Sequence, residues 1–205
     1  MRIEMQGLTE QLALYRAIYP KKATVAQARA IRDTLRWVRT RVKRDAAAEL
    51  AVRQKDIASR VLTSSVTNAS TQGHLWAGLW NLSPYKLGQP SYNPMVGVEV
   101  GNRQYMGAFL ARIYSGQENI WIRKRSDFYD PALYVHGGRG AGSTPRHLRH
   151  RFPVVKGTVR IDEAMAKVFE RDEPEIKEYF AKRMAAQLNY AFGIEGKVAG
   201  GEGAD

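Results

Sequence analysis

The chain predicts an α+β fold, an antiparallel sheet of about four to five strands packed by a long N-terminal helix and a C-terminal helix, with extended loops. Three observations carry that expectation. Apolar residues recur in steps of three or four from Val25 to Ala46, the period of an amphipathic helix. Val96, Val98 and Val100 alternate with Met95, Gly97 and Glu99, the period of a strand with one buried face. Near the C-terminus Ile176, Phe180, Met184, Leu188 and Phe192 repeat every four residues, a second helical stripe.

Taken in order, Leu8–Ile18 reads as a helix that Pro20 ends. Thr24 then caps a second helix running to about Leu50, with Val25, Ala28, Ile31, Leu35, Val38, Val42 and Ala46 as its apolar series. Its length is roughly 40 Å. Arg53–Arg60 suggests a short helix around Ile57, and Val61–Thr67 and Leu75–Leu82 suggest strands, the second with Trp76 and Trp80 on one face. Gly88, Pro90 and Pro94 mark Tyr85–Pro94 as a loop.

The next strand, Met95–Val100, turns at Gly101-Asn102 into a hairpin partner spanning Tyr105–Ile113. Ser115-Gly116 supplies another turn before a third strand, Asn119–Lys124. Residues 126–150 lack any period and form a long loop, the kind that is functional or disordered in a compact domain. Phe152–Ile161 begins as a strand and leads into a helix over Asp162–Arg171, after which Pro174 opens a separate final helix that Gly193 stops. The expected organisation is one domain over 1–192, with a helical arm at 1–20 and a flexible tail at 193–205.

Thirty-two Lys and Arg against twenty Asp and Glu give a net charge of +12, which favours an acidic partner such as nucleic acid or an electronegative protein surface. The excess lies in Lys21–Arg60 and Arg139–Arg160, whereas Asp162, Glu163, Glu170, Asp172, Glu173, Glu175 and Glu178 crowd the last third. That polarity also suits head-to-tail association of identical subunits. Cysteine is absent, which excludes disulfides and thiolate metal sites. With no run of about eighteen apolar residues, no membrane-spanning helix is expected, and MRIEMQGLTEQ lacks the apolar core of a signal peptide.

Catalytic chemistry is not indicated. His147 and His150 have a spacing that could chelate a metal on a helix, but Arg146, Arg149 and Arg151 surround them and would repel a cation. Those three arginines read as part of a solvated basic loop or as a contact for a partner. Gly137–Gly142 is not followed by the Lys-Ser or Lys-Thr of a phosphate loop. Asp127, Asp130, Asp162 and Glu163 look like turn and cap residues rather than paired acids. The expectation is a protein that is not an enzyme and uses no cofactor or metal.

Arg32, Arg36, Arg39 and Lys43 repeat at four, three and four, which places them on one helix face. Such a stripe is first the polar face that any amphipathic helix must have, and second a contact for DNA phosphates or an acidic partner. Trp76, Trp80 and Trp121 read as anchors of the core or of a subunit interface.

The basic helix AIRDTLRWVRTRVKRDAAAELAV, the segment RQKDIASRV, the strand HLWAGLWNLSP, the hairpin GVEVGNRQYMGAFLARI, the strand IWIRKRS and the later FPVVKGTVRIDEAMAKVF follow one another in an order that resembles the minor tail protein Z family of bacteriophage lambda and related prophages. The resemblance covers about Ile31 to Phe169 and includes the tripeptides Gly107-Ala108-Phe109 and Ile122-Arg123-Lys124. It implies a structural tail-completion protein of the virion, at the head-proximal end of a long tail. It also implies a ring of identical subunits, a hexamer, with tail-terminator, connector or tape-measure proteins and the packaged DNA as neighbours, and no membrane. A stand-alone basic nucleic-acid-binding protein is the alternative that charge alone supports.

Overall fold

The computed structural model describes residues 9–113, 117–134 and 153–193. Helices and short antiparallel strands make up the α+β class that the sequence predicts, with long helices in both terminal regions. Eight strands are distributed over three small sheets rather than gathered into one. The chain forms two compact units, one of Met1–Asp45, Ala58–Ala77 and Ala166–Asp205, the other of Ala46–Ile57 and Gly78–Met165.

In the first unit, α1 (Thr9–Ile18) and α2 (Pro20–Glu49) are separated by Tyr19 alone. The Tyr19 N–H donates to the Tyr15 carbonyl at 2.8 Å, and its carbonyl accepts from Ala23 at 3.1 Å. Pro20 thus does more than end α1. It opens α2, where the missing N–H costs nothing and φ is already helical. Thr24 is not the cap: it lies one turn inside, with its hydroxyl donating to the Pro20 carbonyl at 2.9 Å.

The buried face of α2 also differs from the apolar series. Ala23, Ala26, Ala30 and Thr34 are buried along with Ile31, Val38 and Val42, while Val25 and Leu35 are only half-buried. Leu12 of α1 joins Ala23, Ala26, Ala30 and Ile31 in one core with Phe180, Met184 and Leu188 of α4 (Asp162–Phe192). Small residues on α2 leave room for large ones on α4, so the interior fills without overpacking. Each large apolar side chain so buried contributes about 1.5–3 kcal/mol.

Helix α4 runs unbroken through Pro174, which corrects the expectation of two helices. Proline removes the hydrogen bond to the Glu170 carbonyl, but both residues are exposed, so water can solvate the freed oxygen on the outer side of the helix. Buried Asp172 and Ile176 hold the helix on either side of the proline.

Helices α2 and α4 are also joined by a polar seam. Asp33 pairs with Arg183 at 2.5 Å, Trp37 stacks on Tyr179 with ring centroids 4.3 Å apart and planes 6° from parallel, Arg41 pairs with Glu175, and Asp45 pairs with Arg171 at 3.3 Å. Each step of four up α2 is met by a step of four down α4. That constant register is the signature of two antiparallel helices joined along their i, i+4 rows. A two-stranded sheet completes the unit: β1 (Val61–Thr63) pairs antiparallel with β2 (Leu75–Ala77), Leu62 opposite Trp76.

The second unit contains most of α3 (Gln54–Ala58), the short helix expected around Ile57, which is buried. It also has two three-stranded sheets: β3 (Ser91–Asn93), β4 (Gly97–Val100) and β5 (Arg103–Met106); and β6 (Phe109–Ala111), β7 (Asn119–Arg123) and β8 (Val154–Lys156). Gly101 and Asn102 form the two-residue hairpin loop between β4 and β5, with Gly101 at φ 58°. The expected return strand over Tyr105–Ile113 is in fact β5 and β6, in different sheets. The break falls at Gly107, where φ is 66° and a Cβ would lie 2.7 Å from the Phe128 ring.

Two further expectations change in this unit. Tyr85–Pro94 is not all loop: β3 is an edge strand between Pro90 and Pro94, paired only with β4, where flanking prolines cost no ladder hydrogen bond. The strand expected over Leu75–Leu82 stops at Ala77, while Leu82 forms an isolated bridge with Val159. Val98, Val100, Tyr105, Ala108, Ile120, Ile122, Tyr134 and Val155 make the core. Tyr105 donates its hydroxyl to the Thr158 carbonyl at 3.1 Å, and burial pushes that phenol's pKa up to about 12.

Candidate charged face of the long helix

The cations of α2 fall into two populations. Arg41 and Arg44 belong to the seam: Arg41 reaches Asp45, Asp172 and Glu175, and Arg44 donates to Asp45 at 2.7 Å. Hydrogen bonding from Arg44, and the positive charge of Arg44, Arg171 and Arg41, hold the Asp45 carboxyl below its usual pKa. In this seam basic side chains are matched by acidic ones.

The stripe expected from the sequence is divided. Arg32 donates to the Val66 carbonyl at 3.1 Å and to Asn68 Oδ1 at 3.3 Å, and Arg39 donates through Nε to the Val61 carbonyl at 3.3 Å. These two guanidinium groups tie α2 to the 61–68 segment, satisfying strand and loop carbonyls at the edge of β1. Arg36 is exposed and Lys43 half-exposed, and neither forms an ion pair with another described residue. They are the members of the stripe left to meet a partner. Arg146, Arg149 and Arg151 lie outside the described residues, as do His147, His150 and Gly137–Gly142.

Periodicity from Arg36 and Lys43 extends in the other direction. Arg29 and Lys22 precede them at intervals of seven, are exposed, and likewise have no acidic partner among the described residues. The Arg29 guanidinium lies 5.9 Å from the ring of Tyr190, and the Lys22 ammonium lies 5.8 Å from the ring of Tyr19. Tyr190 is 78% exposed. Lys22 and Arg29 fall outside the stripe expected from the sequence because they lie N-terminal to its densest basic stretch. The seven-residue interval was the available signal.

Elsewhere, Trp121 is buried in the second unit and donates through Nε1 to the Ala111 carbonyl at 3.0 Å, in keeping with a core anchor. Trp76 and Trp80 are not core residues, being 53% and 67% exposed. Trp76 lies on the outer face of the short strand β2, and Trp80 lies beyond the end of that strand. An open cleft of about 320 Å³ is lined by Gly107, Phe109, Arg123, Arg125 and Ser126. Among the described residues no cluster of three or more His, Asp or Glu is placed to hold a metal ion, and no helix is long and apolar enough to cross a membrane. Compared with protein-family models, curated proteins and solved structures, the chain finds no match in any of the three.

Proposed function

We propose that the protein is a structural subunit of a long-tailed bacteriophage tail, completing the head-proximal end as a ring of identical copies beside terminator or connector proteins. The observation that carries this reading is the exposed pair Leu62 and Trp76, directly opposite each other on β1 and β2. A two-stranded sheet is marginal by itself and gains nothing from presenting a leucine and a tryptophan to water. Such a face is understandable as an element that a neighbouring subunit covers. Two further features support the reading: the order of helix, short helix, strand, hairpin, strand, strand and helix follows the resemblance described above, and α2 and α4 are joined by a row of paired charges.

The test is whether the protein co-purifies with mature tails and whether Leu62→Ser/Trp76→Ser prevents its incorporation while leaving the monomer folded. Incorporation into particles that this variant cannot join is the expected result. Absence of the wild-type protein from intact particles would overturn the reading.

A further inference from the structure

We propose that Lys22, Arg29, Arg36 and Lys43 form a binding face for the phosphate backbone of nucleic acid. Seven residues are nearly two full helical turns, so the four cations run almost straight along α2, about 10 Å apart and about 32 Å from end to end. The arrangement differs in kind from the charges around it. On α4, Lys177 and Lys182 are each 2.7 Å from a glutamate one turn away, and Arg171 and Arg183 are paired across the seam. None of the four cations of the line forms an ion pair with a described residue: Asp33, one turn from Arg29 and Arg36, is engaged by Arg183, and Asp45 by Arg44 and Arg171.

An evenly spaced row on a rigid helix matches a partner whose charge is continuous. A duplex presents about one phosphate charge per 1.7 Å of its axis, so a line of cations needs no particular sequence alignment to find partners. An acidic protein patch would have to place carboxylates at the same four intervals. Beside the row, Tyr19 and Tyr190 offer hydroxyls that can donate to phosphate oxygens and ring faces on which an unpaired base can stack. Nothing in the row reads base edges, so binding is independent of sequence. The proposal does not rest on the tail-assembly reading, because an isolated chain would show it.

The experiment measures anisotropy of a labelled DNA duplex and of a single strand of equal length, titrated with the full chain at several salt concentrations. For four phosphate contacts the duplex affinity is expected to fall about 150-fold between about 50 and 200 mM salt. Lys22→Gln/Arg29→Gln and Arg36→Gln/Lys43→Gln should each remove about half of that logarithmic slope, and the four together should abolish binding. Lys177→Gln/Lys182→Gln should leave affinity and slope unchanged. Circular dichroism establishes that each variant keeps its helices. Tighter binding of the single strand, lost in Tyr190→Ala, would identify unpaired nucleic acid as the source of the phosphates. Unchanged affinity in the fourfold variant would overturn the proposal. So would equal binding of poly-glutamate, which would make the face a dock for acidic protein.

Discussion

Arg41 and Asp172 meet across the α2–α4 seam with Nε 3.3 Å from Oδ2, close enough for an ion pair but too poorly aligned for a hydrogen bond between those atoms. The Asp172 side chain is wholly buried, and its other oxygen accepts from Arg171 Nε at 3.0 Å. A carboxylate removed from water in this way is held by the surrounding guanidinium groups. Asp172→Ala leaves Arg41 with Asp45 and Glu175 as its remaining acids and is expected to cost about 1–3 kcal/mol, read from urea unfolding. Arg41→Met/Asp172→Leu, which removes both charges, should recover most of that loss. If the double replacement is as damaging as the single one, the pair is not what stabilises the seam.

The Trp37–Tyr179 stack makes a separate, smaller contribution. A double-mutant cycle with Trp37→Ala and Tyr179→Ala should return a coupling of about 0.5–1.5 kcal/mol. Arg41 lies 5.2 Å from the Trp37 ring, so the cycle is best repeated in Arg41→Met, where part of the coupling should disappear.

Backbone geometry yields two substitutions of opposite sign. Helix α2 ends with Ala51 at φ 54°, where the Val52 N–H reaches the Ala47 carbonyl at 2.9 Å and the Ala51 N–H reaches Ala48 at 3.1 Å, a Schellman closure with alanine in the glycine position. Ala51→Gly relieves a left-handed alanine and should raise stability by about 0.5–1 kcal/mol, after the entropy of the new glycine. Gly97→Ala should do the reverse. Its φ is 122°, and a Cβ there would lie 2.3 Å from the Tyr105 carbonyl oxygen, so a loss of about 2 kcal/mol or more is expected in thermal melts.

Acid should weaken the second unit through Asp56. Lys86, at 2.8 Å, and Arg53, at 3.1 Å, hold its carboxyl below the ordinary value of 3.8. A folded-state pKa below the unfolded one means the contribution is fully present above the unfolded value and is lost as pH falls through the folded value. Melting temperature should therefore drop as the pH is lowered below about 4, and Asp56→Asn should flatten that part of the curve while costing about 1–3 kcal/mol at neutral pH.

Much of the helical architecture is legible because its signals are local. Ile31, Val38 and Val42 announce α2, and Phe180, Met184 and Leu188 announce α4, since all six are buried, Ile31 in one core with the α4 residues. What is illegible depends on the third dimension. Gly107 looks like one position in an alternating strand until Phe128 approaches it. Pro174 looks like a helix start, because only the surrounding packing keeps α4 continuous through it. Ala51 ends α2 without the glycine that normally signals such an end. Asp33, Trp37, Arg41 and Asp45 are spread among many charged neighbours, and their role appears only when α4 is laid antiparallel beside them. The same juxtaposition divides the candidate basic face, because Arg32 and Arg39 are engaged by a segment that sequence spacing cannot place.

The antiparallel seam also sets an order of events during synthesis. Asp33 and Arg183 are separated by 150 positions, so the first unit closes its chain over most of its length. Its α2 face therefore waits for α4 to be translated, while the second unit's strands, from Ser91 through Lys156, are all synthesised before it. Closing a loop of that span is slow compared with forming hairpins, and the apolar flank of α2 stays uncovered in the interval. Chains truncated just before Arg171 and released from the ribosome should therefore carry an ordered second unit and an α2 that recruits chaperones.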